Sequence, residues 1–408
     1  MPVRPVEDAA VLRLDAPRHR VPVRGGCAQA LTPFILAGFT AFLSLYAPQP
    51  LLPLFERVFG ADHFHSSLAI TATTIAVAIA APFVGRIADV VGKRRVIVIA
   101  AFVLALATLM AATSRSLDQV ILWRFVQGIA TPGVFAVAVA FIHDRWEGSR
   151  AATTTAAYVT GTVIGGFIGR VVSGQAAAMW GWRASFVSVG ALSLACAVLL
   201  AVQLPADREK HALHMGLEGG SSRLWSHLTS RALLGTYAAG FCVLFTQIAM
   251  FTYVTFHLAA APFLLSTAAL GWLFAVYLAG AIVTPISGGW INAYGHRAAL
   301  MIAMALGVAG SLLTLGHALA AVIVGLALVC SGVFIAQAAA NGYIGVAAKS
   351  DRGLAVGMYA TCYYIGGSVG GVLPAMFWNT GGWTACVTLV IVVQATTAIL
   401  GWVFWRSV

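Results

Sequence analysis

The feature that most constrains this chain is a succession of apolar stretches, each about 20 residues long and separated from the next by a short polar break. Roughly 20 apolar residues is what a helix needs, at 1.5 Å per residue, to cross about 30 Å of hydrocarbon. The first stretch lies at 30–52; the others follow at 66–88, 95–113, 119–142, 152–172, 184–204, 232–256, 267–291, 297–316, 319–346, 353–377 and 383–405. In lipid the backbone must satisfy its own polar groups, which leaves helices or a closed barrel. Barrel strands alternate apolar and polar residues, whereas these runs are apolar on every face, so helices are expected. Composition agrees: 60% of the 408 residues are hydrophobic and 9% are charged, far from a soluble mixture. The expected fold class is an all-α membrane protein with twelve transmembrane helices and the lipid bilayer as solvent.

Lys and Arg concentrate on the cytoplasmic side of membrane proteins. With the N-terminus inside, 19 of the 24 basic residues fall in inside segments. Arg57, Arg115 and Arg183 fall outside, while Arg124 and Arg170 fall within helices. The formal charge of +11 therefore follows from topology, and no nucleic-acid partner is expected. The first apolar run is too long for a signal core and stands behind a tail, 1–29, expected to be cytoplasmic. A multi-pass protein of a bacterial-type inner (plasma) membrane, with both termini cytoplasmic, is the expectation.

The longest break, 205–231, mixes charge, Gly and Ser and reads as a solvated linker. It divides the chain into two sets of six helices, 30–204 and 232–408. The halves repeat. Pro82, Gly85, Asp89, Gly92, Lys93 and Arg94 have counterparts 203 positions later at Pro285, Gly288, Asn292, Gly295, His296 and Arg297. Gly133-Val134-Phe135 recurs as Gly332-Val333-Phe334, Arg150 and Gly165 recur as Arg352 and Gly367, and Gly181-Trp182 recurs as Gly382-Trp383. A spacing that drifts by so little indicates duplication, the basis of a two-bundle architecture.

The run Gly85-Arg86-Ile87-Ala88-Asp89-Val90-Val91-Gly92-Lys93-Arg94-Arg95 resembles the loop signature of the major facilitator superfamily, with Val90 where a basic residue is usual. That resemblance implies a conformational latch on the cytoplasmic side, formed by Gly85, Asp89, Gly92, Lys93, Arg94 and Arg145, with the start of the eleventh helix near Gly353 facing it. Arg124-x-x-Gln127-Gly128 is similar to the family's fourth-helix motif. An intramembrane Arg costs about 2.5–3.5 kcal/mol on insertion scales. It either snorkels to the interface or finds partners in Glu56, Asp62 or carbonyls of the first helix. Gly161, Gly165, Gly169 and Arg170 fall on a fifth-helix pattern resembling the antiporter motif, with Gly166 in place of Pro and Arg170 in place of the last Gly. Small residues four apart equally serve close helix packing. The resemblance is to the twelve-helix drug and sugar efflux branch, and implies proton-coupled efflux.

Polar and Tyr side chains are unevenly shared among the spans. Tyr46, Gln247, Tyr277, Gln337, Asn341, Tyr359 and Tyr363 are expected near mid-membrane as a substrate cavity, with every third helix as lipid-facing scaffold. No acid falls in the middle of a span, which favours a neutral or anionic small molecule; Asp89, Glu56, His143 or His257 is left to carry protons. No catalytic constellation or nucleotide loop appears, so neither an enzyme nor a cofactor is expected. His211 and His214 read as solvated linker side chains and the six cysteines as packing residues, leaving no metal. An importer on the same fold is the alternative, a channel or receptor the more remote one. A monomer is expected.

Overall fold

The computed structural model of the protein describes residues 27–207, 229–348 and 352–405, and the regular structure among them is entirely helical. Ten helices among the described residues are long and apolar enough to cross a membrane. Two of them, Thr267–Leu313 with 47 residues and Gly353–Phe404 with 52, are about twice the necessary length. The first is broken at Gly295 and the second at Gly381 and Gly382, where the backbone leaves the helical region. Each therefore supplies two crossings, and ten plus two gives the twelve spans expected. Metal-ligating clusters are absent among the described residues, and Cys196, Cys242, Cys330, Cys362 and Cys386 are free thiols. His211 and His214 lie outside the described residues.

The duplication is visible in the backbone. Gly92 (φ 106°) turns the chain between the second span, His63–Val91, and the third, Lys93–Ala112, and Gly295 (φ 83°) does the same between the eighth and ninth. Gly181 (φ 84°) joins the fifth span, Gly148–Trp180, to the sixth, Trp182–Gln203, as Gly382 (φ 59°) joins the eleventh to the twelfth. These positive φ values suit residues without a Cβ, which is why the glycines survive in both copies.

Close backbone packing repeats too. A Cβ at Gly161, Gly165 or Gly169 would collide with the carbonyl oxygens of Ile35, Phe39 and Leu43, one turn apart on the first span. In the second half a Cβ at Gly366 or Gly370 would collide with the carbonyls of Phe241 and Phe245 on the seventh span, Arg231–Ala259. Packing thus pairs Gly165 with Gly366, one residue short of the Gly367 that the sequence alignment suggests. The fifth-helix glycines are explained by this contact with the first span.

The polar and glycine contacts between the halves lie toward one end among the described residues. Gln49 Nε2 approaches Thr252 Oγ1 at 3.4 Å, Ser368 Oγ lies 2.9 Å from Thr74 Oγ1, and Gly174 abuts Gly271 backbone to backbone. His63 stacks on Phe256 and Trp378 of the other half at 4.7 and 4.8 Å. All lie toward the face opposite the basic loops; nearer the basic face, the Phe135–Tyr364 ring contact at 5.8 Å sits close to mid-depth. At the basic end, added Cβ atoms at Gly85, Gly288, Gly345, Gly353 and Gly357 would meet nothing within 4 Å. The joints between the halves thus lie at the face away from the basic loops and at mid-depth, among the described residues.

This packing predicts that Gly165→Val lowers the thermal stability of the purified protein by about 1–3 kcal/mol, read as a fall in melting temperature. Gly289→Ala, at a position with open space around it, is expected to leave the melting temperature unchanged or slightly raised.

Candidate functional site

The first span is not one continuous helix. Pro48 and Pro50 lack the N–H groups a helix requires, and the helix Cys27–Leu45 ends before a 3₁₀ turn at Gln49–Leu51 and a second helix at Leu52–Phe59. The break falls in the half of the crossing away from the basic loops, level with Ala69 and Arg124, and strands carbonyl groups where water is scarce. Arg124 of the fourth span, Leu117–Arg145, takes them. Its Nη1 donates to Ser44 O at 2.7 Å, its Nη2 to Leu45 O, and its Nε to Ala69 O of the second span at 2.9 Å. Nη1 also donates to Gln127 Oε1, while Gln127 Nε2 donates to Thr108 Oγ1 of the third span at 3.0 Å. Arg124 is 1% exposed, so it does not snorkel. Of the partners expected, the first-helix carbonyls are the ones found, and neither Glu56 nor Asp62 bonds to it. Gly128, one residue after Gln127, lets the fourth span lie against Thr73 and Ala76.

The same break presents Tyr46 and Gln49 to the interior. Gln49 Oε1 accepts from Arg170 Nε at 2.7 Å, and Arg170 Nη1 donates to Gly166 O at 2.8 Å. Around the guanidinium stand Tyr46 at 5.0 Å and, from the other half, Phe274 and Tyr277, both at 4.6 Å to the ring centroid. Aromatic faces at that range stabilise a cation. Sequence spacing placed Arg170 only as a departure from a glycine motif; the structure places it at the junction of the halves.

The expected cavity residues fall into two groups. Gln247 Nε2 approaches Tyr277 Oη at 3.4 Å, and Tyr359 and Tyr363 stack at 5.8 Å with Tyr364 edge-on to Tyr363 at 5.5 Å. Tyr359, Tyr363 and Tyr364 form one ring cluster, which reaches the first half through the contact of Tyr364 with Phe135 at 5.8 Å. Gln337 is half-buried on the tenth span, Leu319–Ala347. Asn341 is different: it is exposed and only six residues from the end of that helix, so it belongs to the basic mouth and not to mid-membrane.

At the basic face, Lys93 Nζ lies 3.6 Å from Asp89 Oδ1 and contacts Asp144 Oδ2, tying the second, third and fourth spans. Arg94 donates to Leu204 O and Ala201 O at 2.8 and 2.7 Å, capping the sixth span, and Arg145 donates to Ala206 O at 3.1 Å. The Asp207 carboxylate accepts from the Arg94 N–H at 3.0 Å and so caps the start of the third span. Of the cations grouped with Asp89, only Lys93 pairs with it. Gly353 stands apart from this cluster, with open space about it. Asp144 and Asp207 were not singled out in the sequence; an acid near the end of a basic helix, and one following a helix C-terminus, were the available signals.

Residues 34–267 match the sequence model of the Major Facilitator Superfamily. An uncharacterized MFS-type transporter of Bacillus subtilis, YybF, is 29% identical over 377 residues, covering 92% of this chain and 93% of that protein. The inner membrane transport protein YnfM of Escherichia coli is 29% identical over 365 residues, with 90% and 88% covered. Among solved structures, a bacterial homologue of the human lysosomal transporter Spinster, in an inward-facing and occupied conformation, superposes with a TM-score of 0.75 at 14% identity over 93% of this chain and 97% of that one. The chain belongs to the Major Facilitator Superfamily: it is a multi-pass membrane transporter of a small-molecule substrate and not an enzyme.

Arg124→Gln should strand the carbonyls of Ser44 and Leu45 and lower stability by about 3 kcal/mol or more, measured as folded yield and melting temperature. Arg124→Lys should fall between, since an ammonium keeps the charge but has three donors at one point where the guanidinium fork makes four bonds.

Proposed function

We propose that this transporter exports a small neutral or anionic organic compound in exchange for protons, by alternating access, as a monomer in a bacterial-type inner membrane with both termini cytoplasmic. The observation that carries the reading is the broken first span, whose Tyr46 and Gln49 stand between two six-helix bundles with their polar and glycine contacts toward one end. Discontinuous helices at the interface of repeats are where secondary transporters bind their cargo. By the positive-inside rule the open basic face is cytoplasmic. The bundles 30–204 and 232–408 then rock about the tyrosine cluster, with 205–231 as the connector.

The seal is suited to opening. It consists of a few hydroxyl and amide contacts at 2.9–3.4 Å, glycine contacts and the His63 stack, with no charged pair joining the halves among the described residues. When it parts, the cytoplasmic ends converge. Asp89 is then brought toward the start of the eleventh span near Gly353, with Gly85 allowing close approach, Gly92 the turn, and Lys93, Arg94 and Arg145 holding the loop.

For coupling, His63 Nδ1 lies 3.2 Å from Glu56 Oε1 at the sealed end. The pair touches both halves, because the His63 ring is held by Phe256 and Trp378. A proton exchanged there would alter the seal. Cargo preference follows from the Tyr, Gln and Arg lining and from the lack of acid in the middle of any described span.

Inside-out vesicles made acidic inside, with a fluorescent pH reporter and compounds of each charge, test the reading. A neutral or anionic compound is expected to dissipate the gradient in vesicles that contain the protein and not in those that lack it. Glu56→Gln is expected to slow that response by about tenfold or more, in line with loss of a positioned proton-transfer group. Dissipation by cationic compounds alone would contradict the cargo assignment. Asp89→Asn is expected to increase labelling of cysteines placed on the cytoplasmic face; unchanged labelling with full transport would remove the latch role.

A further inference from the structure

Two arginines are buried in the first half, and their surroundings differ. Arg124 has a partner at every guanidinium nitrogen, each donating to a carbonyl or to Gln127. Arg170, 2% exposed, has Nε on Gln49 and Nη1 on Gly166 O, and no hydrogen bond to Nη2. The ion pairs of the described residues all lie at the ends of spans, and none includes Arg170. A cation held at that depth without a counter-ion is costly, and aromatic faces offset only part of it.

Closure of the bundles does not require the charge. The repeat offset of 201 that relates Gly169 to Gly370 maps Arg170 onto Gly371, and the offset of 203 maps Thr71 onto Phe274. In the second copy Gly371 closes directly on Thr71, glycine against a small hydroxyl side chain. In the first copy an arginine faces Phe274 instead, although Gly174 and Gly271, one turn away, already bring the two spans into backbone contact. The same joint is thus made twice, once with a glycine and once with a buried cation, so the cation serves something other than the joint.

We infer that Arg170 is the anion-binding subsite of the cargo pocket, and that the cargo is an aromatic monocarboxylate whose carboxylate takes Nη2 and whose ring lies among Tyr46, Phe274 and Tyr277. A carboxylate supplies the missing counter-charge and the missing acceptor together. The rings supply a flat apolar surface with hydroxyls at its edge. Tyr46 and Tyr277 contact Arg170 from opposite halves, so an anion bound there touches both bundles and draws on contacts that change as they rock. This rests on the export reading for the word cargo; the subsite itself does not depend on direction or coupling.

The test measures binding to the purified full chain in detergent by tryptophan fluorescence. The probes are benzoate, 4-hydroxybenzoate and 1-naphthoate, each beside its uncharged amide. The wild-type protein is expected to bind at least one carboxylate about tenfold or more tightly than its amide, the ratio a charge-assisted bond supplies. Arg170→Gln is expected to bring that ratio to about one, and Arg170→Lys to keep a reduced preference. A wild-type protein that binds none of the carboxylates, or binds acid and amide alike, overturns the inference without recourse to any variant. So does an Arg170→Gln protein that keeps the preference. Carboxylate selectivity in detergent with no flux in vesicles would sustain the subsite and sink the export reading. Proton-driven flux of a neutral compound, with no carboxylate selectivity, would do the reverse.

Discussion

Everything distinctive about the interior follows from the capture of the first span's broken end by Arg124. Prolines at 48 and 50 stop the helix at Leu45, and carbonyls that would have bonded along the helix are freed inside the membrane. Such groups cost several kcal/mol each unless a donor reaches them. A guanidinium, with five N–H donors in a rigid fork, suits carbonyls on two helices and an amide oxygen from one position. With Arg124 donating to Ser44, Leu45 and Ala69, the break becomes a stable feature, and Tyr46 and Gln49 are aimed at the other half.

The second consequence is asymmetry between two halves that share one fold. The duplicated glycines at the turns and along the fifth and eleventh spans give both bundles the same frame. The two buried arginines belong only to the first bundle, whereas the tyrosines of the eighth and eleventh spans belong to the second. Arg170 and the rings of Phe274 and Tyr277 therefore meet only when the bundles are joined, while Tyr46 lies beside it within the first bundle. A site divided in this way gains or loses contacts as the bundles move, which is what alternating access requires of a cargo site.

Much of the frame was legible in the sequence because it depends on local rules. Span lengths follow from bilayer thickness, and Gly92, Gly181, Gly295 and Gly382 mark turns because their backbone conformation excludes most side chains. The Arg124 motif was legible as well, down to the first-helix carbonyls. The site was less so. Arg170 reads in sequence as a damaged glycine motif, because Gln49, Phe274 and Tyr277 lie more than 100 residues from it along the chain. Asn341 was misplaced although its span was legible: six residues from the end of Leu319–Ala347 is too near the face of the bundle for mid-membrane. The loop between the second and third spans gave its residue types correctly, yet which acid pairs with which base depended on Asp144 of the fourth span and on Asp207 beyond the sixth.

The central claim is that this structure is one of two states, open on its basic face, that exchange about the Tyr46–Arg170–Tyr277 junction. The most direct measurement is a pair of spin-label distances across the halves, one at the basic end (Val91 with Val356, Val91 and Val356 both exposed) and one at the sealed end (Val58 with Leu264, also exposed). The account predicts reciprocal change when the pH or a bound compound is altered: the first distance shortens as the second lengthens. Two distances that stay fixed, or that lengthen together under every condition, would contradict it.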